Sequence, residues 1–324
     1  MQTVSTLVKG QHFEGHLLVR QCEVRVSQNG SKFLDAVLCD RTGEISAKAW
    51  DWKAGDAPKP LSVVYVYALV NEFMGKLQLK LDTIREVSAE NIDQSLLVPT
   101  APESPDSMLR QIYATIDGMQ DDDIKLICAA AVERVKDALR YWPAAVSFHH
   151  SERSGLLHHT TTMLRAAQAL LPLYPFLDAD LLLGGVILHD LCKIQELQAG
   201  QIGIASEYSK CGQLLGHIVM GADSILQLGR ELGANEEIAL LLSHMVLAHH
   251  NEPDFGSPRR PMFAEAEMLH HLDTLDARMY DMQHALSQIA PGEFTGYMRS
   301  LDGRRLYRHA KFKDSATEVS EPND

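Results

Sequence analysis

The spacing of apolar and polar residues divides this chain into two regions. From residue 15 to residue 87 the apolar positions alternate or form short β-rich runs, and turn residues at 28–30 and 40–43 separate them. After residue 105 the apolar positions recur at helical spacing instead. The Pro-rich segment 97–105 lies between the two regions and ends in Ser104 and Pro105, a helix-start pattern. The sequence therefore predicts a β region followed by an all-helical region.

The helical region is predicted to contain seven helices, over residues 105–118, 121–141, 156–171, 179–191, 208–232, 235–250 and 263–288. Acidic residues open two of them, where they interact favourably with the helix dipole. Apolar residues become scarce after Tyr307, and residues 315–324 are polar and acidic. We expect this last stretch to be a disordered tail.

The β region is predicted to be a small barrel such as the OB-fold, because it contains five short strands and no strong helix. The segment 29–50 resembles strands 2 and 3 of nucleic-acid-binding OB-folds. The predicted organisation is multidomain. A five-stranded OB-fold β-barrel spans residues 1–95, a linker with the first helix spans 96–120, an all-α helical bundle spans 121–312, and the tail spans 313–324.

Barrels of this kind bind single strands by stacking bases on aromatic rings beside basic groups. The candidates here are Lys32, Phe33, Lys48, Trp50 and Trp52, with Trp52 expected to be exposed. Any single aromatic residue among them could instead belong to the barrel core. The region is not basic overall, so we expect binding to be weak and sensitive to salt.

Composition limits which partners the protein can bind and which cellular compartment suits it. The chain has 30 Lys and Arg against 43 Asp and Glu, a net charge of −13, so any nucleic acid must be bound by local groups. Its five cysteines form no closely spaced pair, which suits a reducing cytoplasm. No stretch reaches the ~18 apolar residues of a membrane span, and residues 1–10 lack a signal-like apolar run. We expect a cytoplasmic protein with no membrane partner.

The segment 181–193 carries the first candidate chemistry. Six large apolar residues lead directly into His189 and Asp190, and Lys193 follows one helical turn later. Two polar groups at the end of a buried helix are costly unless something pairs with them. Imidazole and carboxylate are ordinary ligands for Mn, Fe, Zn or Co. Taken alone, the same residues could be a helix end with a capping Asp and a surface Lys.

Further polar residues fall on apolar helix faces. Helical spacing places His159 toward the core and its neighbour His158 toward solvent. Considered alone, His159 is better explained as a core histidine than as a metal ligand. Asp276 could accept a hydrogen bond from a ligand histidine. Three more polar residues lie on apolar faces of predicted helices: His217, His249 and Asp273.

This order of residues resembles the HD-domain phosphohydrolase superfamily, and the additional His217 and His249 resemble its two-metal members. Three segments, 149–160, 243–258 and 265–279, look like the YhaM-type 3′→5′ exoribonucleases, which join an N-terminal OB-fold to an HD domain. The resemblance covers about residues 10 to 300. The chain departs from the pattern at Cys192, where HD proteins often carry Gly.

The resemblance implies Mn²⁺-dependent removal of nucleotides from single-stranded RNA, and sometimes from single-stranded DNA. Fe, Co and Ni are the alternatives, because the ligands offer nitrogen and oxygen without thiolate. The resemblance also implies two divalent ions, which together can activate water and stabilise the attacking and leaving oxygens during phosphodiester cleavage. One ion would be held by His159, His189 and Asp273, and the other by His217 and His249.

Asp190 and Lys193 are the expected catalytic residues, as bridging ligand and as a positive charge beside phosphate oxygens. His250 is either a metal ligand or a phosphate contact. Neighbouring phosphates would be bound, on the resemblance alone, by His149, His150, Arg153 and Arg278. Two other functions stay open: an HD hydrolase of small nucleotides, and a single-strand-binding protein whose helical domain is structural. Assembly into a homo-oligomer is a further open alternative.

Overall fold

The computed structural model of the protein describes residues 2–27, 29–53, 55–90, 92–146 and 150–314. The chain divides into two compact units. The first contains Met1–Pro102, Glu152–Ser154 and Ala199–Ile204, and the second contains Glu103–Ser151, Gly155–Gln198 and Ala205–Asp324. The predicted disordered tail and the candidate His149 lie outside the described residues.

The first unit is built around a closed five-stranded barrel. Its strands are β1 (His12–Val26), β2 (Lys32–Asp40), β3 (Gly43–Ala49), β4 (Val63–Phe73) and β5 (Lys76–Val87). They close in the order β1-β2-β3-β5-β4, and β1 pairs with both β2 and β4. β3 and β5 run parallel, whereas the other neighbouring pairs are antiparallel. This is the OB-fold topology, so the predicted β fold is confirmed.

Alternation of side chains explains the barrel core. In β2, Leu34, Ala36 and Leu38 point inward and are almost fully buried, while Asp35 between them is half-exposed. A register shift between Val19 and Gln21 interrupts β1. Such a bulge bends a strand, and it allows one long strand to serve two neighbours around the barrel.

The second unit is helical. Its helices are α1 (Pro105–Asp117), α2 (Asp122–Leu139), α3 (Gly155–Leu170), α4 (Ala179–Leu188), α5 (Lys193–Glu196), α6 (Lys210–Leu214), α7 (Gly216–Leu232), α8 (Glu236–Ala248) and α9 (Ala264–Ser287). Side-chain caps begin several of them: Ser104 accepts from the Ser107 amide, and Asp121 accepts from the Ile124 amide. The predicted all-helical domain is confirmed, and no helix within the described ranges is long and apolar enough to cross a membrane.

Two details differ from the predicted helices. The stretch 208–232 is two helices rather than one, because Gly216 adopts a φ of 74°, a left-handed conformation that interrupts the helix. In addition, β6 (Leu197–Ala199) and β7 (Ala205–Tyr208) form a small two-stranded sheet that the pattern did not predict. Strands of three and four residues are too short to show a clear alternation.

Helix α4 lies at the centre of the helical unit and packs against α2, α3, α8 and α9. It is apolar on every side, and all its residues from Leu181 to Leu188 are buried. Gly184 and Gly185 allow this close approach, because a Cβ on Gly185 would lie 2.3 Å from the Met245 side chain. The carboxyl end of α4 is thereby fixed among the neighbouring helices.

Candidate metal centre

The centre begins where α4 ends. His189 forms the C-cap of α4 and Asp190 follows it, and both side chains are almost fully buried. The His189 Nδ1 lies 2.8 Å from the carbonyl oxygen of Val186, one turn earlier. Since a carbonyl can only accept, Nδ1 carries the hydrogen and Nε2 presents a lone pair.

His249 at the end of α8 is oriented in the same way. Its Nδ1 lies 2.6 Å from the Val246 carbonyl oxygen, which leaves the lone pair on Nε2. The carbonyl of His249 itself accepts a hydrogen bond of 2.8 Å from Nδ1 of His270. Backbone and side chain of His249 are therefore both fixed.

Two more histidines are oriented by carboxylates. The Nδ1 of His159, on α3, lies 2.7 Å from Oδ2 of Asp276 on α9, the contact anticipated for Asp276. The Nδ1 of His217, at the start of α7, lies 2.9 Å from each oxygen of Glu196. A carboxylate behind an imidazole fixes its tautomer and makes its other nitrogen a stronger metal ligand.

The four Nε2 atoms converge on Asp190. Oδ2 of Asp190 lies 3.3 Å from Nε2 of His189 and 3.7 Å from Nε2 of His159. Oδ1 lies 3.3 Å from Nε2 of His217 and 3.8 Å from Nε2 of His249. Each oxygen of this one carboxylate therefore faces a different pair of imidazoles.

Three further groups complete the centre. Oδ1 of Asp273, on α9, lies 3.3 Å from Nε2 of His159, and its Oδ2 lies 3.9 Å from Nε2 of His250. Nζ of Lys193 lies 2.7 Å from Oδ2 of Asp190. Asp273 and Lys193 are buried, whereas His250 is partly exposed.

The donor atoms fit a divalent cation. Within the described part of the chain, the buried Nε2 atoms of His217 and His249 have no hydrogen-bond partner. The Nε2 atoms of His159 and His189 face each other at 3.2 Å. Lone pairs this close repel unless a proton or a metal ion lies between them. Of the groups of ligand atoms compact enough for one ion, two are made entirely of candidate ligands: His159, His189 and Asp190, and His217, His249 and His250.

The electrostatics agree with a site for positive charge. Burial opposes ionisation of Asp190, but Lys193 and His189 hold the pKa of its carboxyl well below the usual value. Burial also opposes protonation of His159, yet the carboxylates of Asp273 and Asp276 raise its pKa from 6.5 to about 10. A cation at Nε2 of His159 would displace that proton, as metal binding to histidine generally does.

Three of the predicted phosphate-binding residues have contacts within the protein. His150 is buried, and its Nε2 lies 2.8 Å from Asp276 Oδ2, the oxygen that also contacts His159. Arg278 donates to Asp302 at 2.6 Å. Arg153 belongs to the first unit and donates to the carbonyl of Gln201. Their contact with phosphate stays a prediction.

Two residues at the centre were not predicted. Glu196 lies in the one-turn helix α5, and nothing in the local sequence connects it to His217, 21 residues later. The ring of Tyr280 lies 4.0 Å from the ring of His150, measured between centroids. Tyr280 follows Asp276 by four residues on α9, so helical spacing alone could have indicated it.

The barrel carries a separate aromatic surface on β2 and the end of β3. The rings of Phe33 and Trp50 stack with centroids 5.0 Å apart, and Nζ of Lys48 lies 5.3 Å from the Phe33 centroid. The Trp50 side chain is 53% exposed and Lys32 is exposed, whereas Phe33 is buried, so Trp50 alone presents a ring face at this surface. The expectation for Trp52 was wrong: it is half-buried against the barrel core and donates to the Gly55 carbonyl at 3.1 Å.

The fold and the centre define an HD-domain enzyme. The family described as HD domain matches residues 156–278, the segment that contributes every candidate ligand from His159 to Asp273. HD domains are metal-dependent phosphohydrolases, and the His and Asp side chains that converge here could hold a metal ion.

Comparison with curated proteins identifies the family more closely. The chain is 38% identical over 302 residues to the 3′-5′ exoribonuclease YhaM of Halalkalibacterium halodurans, covering 92% of this chain and 93% of that protein. It is also 38% identical to the YhaM of Bacillus subtilis, covering 92% of this chain and 95% of that protein. The chain belongs to the YhaM family of 3′-5′ exoribonucleases.

Among solved structures, the second OB-fold domain of replication protein A from Methanococcus maripaludis matches 27% of this chain and 94% of its own length, at 20% identity. Its TM-score of 0.23 is too low to support an argument. The OB-fold assignment follows from the strand order of the barrel itself.

Proposed function

We propose that this protein is a metal-dependent exoribonuclease that shortens single-stranded RNA from its 3′ end, using two ions in the helical unit. Membership of the YhaM family supports the reaction. The observation that carries the two-ion site is the orientation of Asp190, whose two oxygens each face a different pair of imidazoles.

In this proposal Asp190 would contribute to holding both ions. Its neighbours divide into two sets: His159, His189 and Asp273 for one ion, and His217, His249 and His250 for the other. The geometry favours His250 as a ligand beside His249, because its ligand atom lies within 4.8 Å of those of His217 and His249. Nitrogen and oxygen donors without thiolate suit Mn²⁺, with Fe, Co and Ni as alternatives.

Bound ions would supply Lewis acidity to the phosphodiester and to the attacking water. Asp276 and Glu196 hold the imidazoles of His159 and His217 in the ligating tautomer. The ammonium of Lys193 already lies against Asp190, and we assign it the role of neutralising phosphate oxygens there.

The barrel surface formed by Phe33, Lys48 and Trp50 is proposed to hold the RNA strand. The exposed ring of Trp50, stacked on the buried ring of Phe33 and close to an ammonium group, is the kind of platform on which bases stack. Stacking and phosphate contacts do not require the 2′-hydroxyl, so single-stranded DNA is a proposed second substrate. All five cysteines are free thiols, which favours the cytoplasm as the working compartment.

The decisive experiment uses single-stranded RNA labelled at its 5′ end, incubated with the full-length protein and Mn²⁺. A 3′→5′ exonuclease produces a ladder of shortening labelled fragments, and EDTA should abolish it. Asp190→Asn serves as the inactive control. Turnover of mononucleotides without a ladder would favour the small-nucleotide hydrolase, and RNA binding without cleavage would favour the single-strand-binding protein.

A point variant tests the barrel surface. Trp50→Ala should weaken RNA binding by ~1–3 kcal/mol, the value of one stacked base, without altering bound metal. Phe73→Ala is the matched control, because Phe73 is also an exposed aromatic residue of the barrel. Equal RNA affinities of the two variants would contradict a strand-binding role for this surface.

A further inference from the structure

A hairpin follows α9 and ends the described part of the helical unit. We name residues Gly292–Arg308 the C-terminal hairpin. Its two arms are joined by backbone hydrogen bonds from Gly292 to the Arg308 carbonyl at 2.7 Å and from Thr295 to the Leu306 carbonyl at 2.9 Å. Met298 also donates to the Arg304 carbonyl, at 3.1 Å. The polar pattern of this segment gave no prediction of a folded element.

The C-terminal hairpin is anchored to the end of α9. The guanidinium of Arg308 is mostly buried and donates to the carbonyls of Leu286 and Ile289, at the end of that helix and just after it. Arg278, earlier on α9, donates to Asp302 at the tip of the hairpin at 2.6 Å. These contacts fix the hairpin on the same helix that carries Asp273.

The C-terminal hairpin carries exposed aromatic rings. Phe294 and Tyr307 are paired across its two arms, with ring centroids 5.0 Å apart. The Arg305 guanidinium lies 5.3 Å from the Phe294 centroid and is held there by a hydrogen bond to the Thr295 carbonyl. Tyr297 is 81% exposed. Exposed rings of this size are characteristic of binding surfaces.

The same segment is positively charged in an acidic protein. Residues 291–314 contain six Lys and Arg against three Asp and Glu, whereas the whole chain has a net charge of −13. Two of the three carboxylates already form ion pairs: Asp302 with Arg278, and Asp314 with Arg308. Arg299 and Arg304 are exposed and form no ion pair within the described residues, so their charges are available to an anionic partner.

We infer that the exposed aromatic and basic side chains of the C-terminal hairpin form a second binding surface for single-stranded RNA. Bases would stack on Tyr297 and on the paired rings of Phe294 and Tyr307, while Arg299 and Arg304 bind phosphates. The inference rests on the proposed function, because it adds a contact for the same substrate. RNA is favoured over a second copy of this acidic chain as the partner, because a basic surface complements a polyanion.

The position on α9 makes this surface useful to an exonuclease. Asp273 and the anchoring carbonyl of Leu286 are thirteen residues apart on one helix, or about 20 Å at 1.5 Å per residue. A strand held here would be bound by the same rigid unit that carries the metal centre. Binding of the RNA strand at the hairpin would not depend on the barrel.

The test compares Tyr297→Ala and Arg304→Glu with Phe176→Ala, a control at an aromatic residue of the helical unit that is 72% exposed. RNA affinity is measured by fluorescence anisotropy on full-length protein in EDTA. Tyr297→Ala should weaken binding roughly 5- to 150-fold, as expected for one stacked base, and Tyr297→Phe should not. Arg304→Glu should also reduce the salt dependence of binding. Hydrolysis of bis(p-nitrophenyl) phosphate with Mn²⁺ should be unchanged in all variants.

Wild-type RNA affinity in both Tyr297→Ala and Arg304→Glu would overturn the inference and leave the proposed function intact. If the wild-type protein binds RNA but never shortens it, the proposed function fails, and the affinities still decide the role of the hairpin. Sedimentation of the same variants examines a second copy of the chain as the occupant. A changed oligomeric mass with unchanged RNA affinity would also overturn the inference.

Discussion

Lys193→Met removes one charge from the metal centre while keeping most of the apolar side chain. Nζ of Lys193 lies 2.7 Å from Oδ2 of Asp190 in a buried position. Burial opposes its charge, but the Asp190 carboxylate raises the pKa of the ammonium, so Lys193 is charged at neutral pH. A unit charge acting on another ~4 Å away at an effective dielectric constant of ~20 contributes about 4 kcal/mol.

That magnitude sets the expected loss of rate. If Lys193 stabilises charge on the phosphate oxygens, kcat should fall roughly 10²–10³-fold, the range found when one such donor is removed from an active site. Metal affinity should stay the same or rise, because the positive charge beside Asp190 no longer repels the ions. The local backbone should be preserved, since the Trp142 indole donates to the Lys193 carbonyl rather than to its side chain.

The assay measures bound Mn²⁺ by calorimetry and kcat on bis(p-nitrophenyl) phosphate. Lys125→Met is the matched control, because its ammonium donates to the Asp117 carbonyl at the surface and forms no ion pair within the described residues. Asp190→Asn is the reference for lost metal. If Lys193→Met releases metal as completely as Asp190→Asn, Lys193 maintains the site and its assignment to phosphate is refuted.

Three further predictions follow from the geometry. His159→Ala should lower Mn²⁺ affinity strongly and His158→Ala should have little effect, because only His159 faces the centre; calorimetry of both checks the helix phase. Glu196→Gln should weaken one of two Mn²⁺ binding steps by about 10–100-fold, because it loosens His217 alone. In EDTA, the stability that protonated His159 contributes is complete below pH 6.5 and is lost as the pH rises through about 10. The midpoint of thermal unfolding should therefore fall over that pH range, and it should fall less in His159→Ala.

The sequence by itself determined the type and order of the elements. Alternation in β2 and helical spacing in α3 are local properties, and they decide which side of an element is buried. This is why the barrel, the helical domain and the inward orientation of His159 relative to the half-buried His158 were predictable. The apolar run before His189 likewise indicated a helix buried on every side.

Only the tertiary structure decided which groups meet. Asp276 is 117 residues from His159, and Glu196 precedes His217 across a helix break at Gly216, so neither contact is encoded in local spacing. Trp50 and Trp52 are two residues apart, yet Trp50 is exposed and Trp52 is half-buried. The strand ends at Ala49 and Asp51 has a φ of 54°, so strand alternation no longer relates the two side chains. Local periodicity specifies the face of an element, whereas the partner across that face depends on how helices and strands pack.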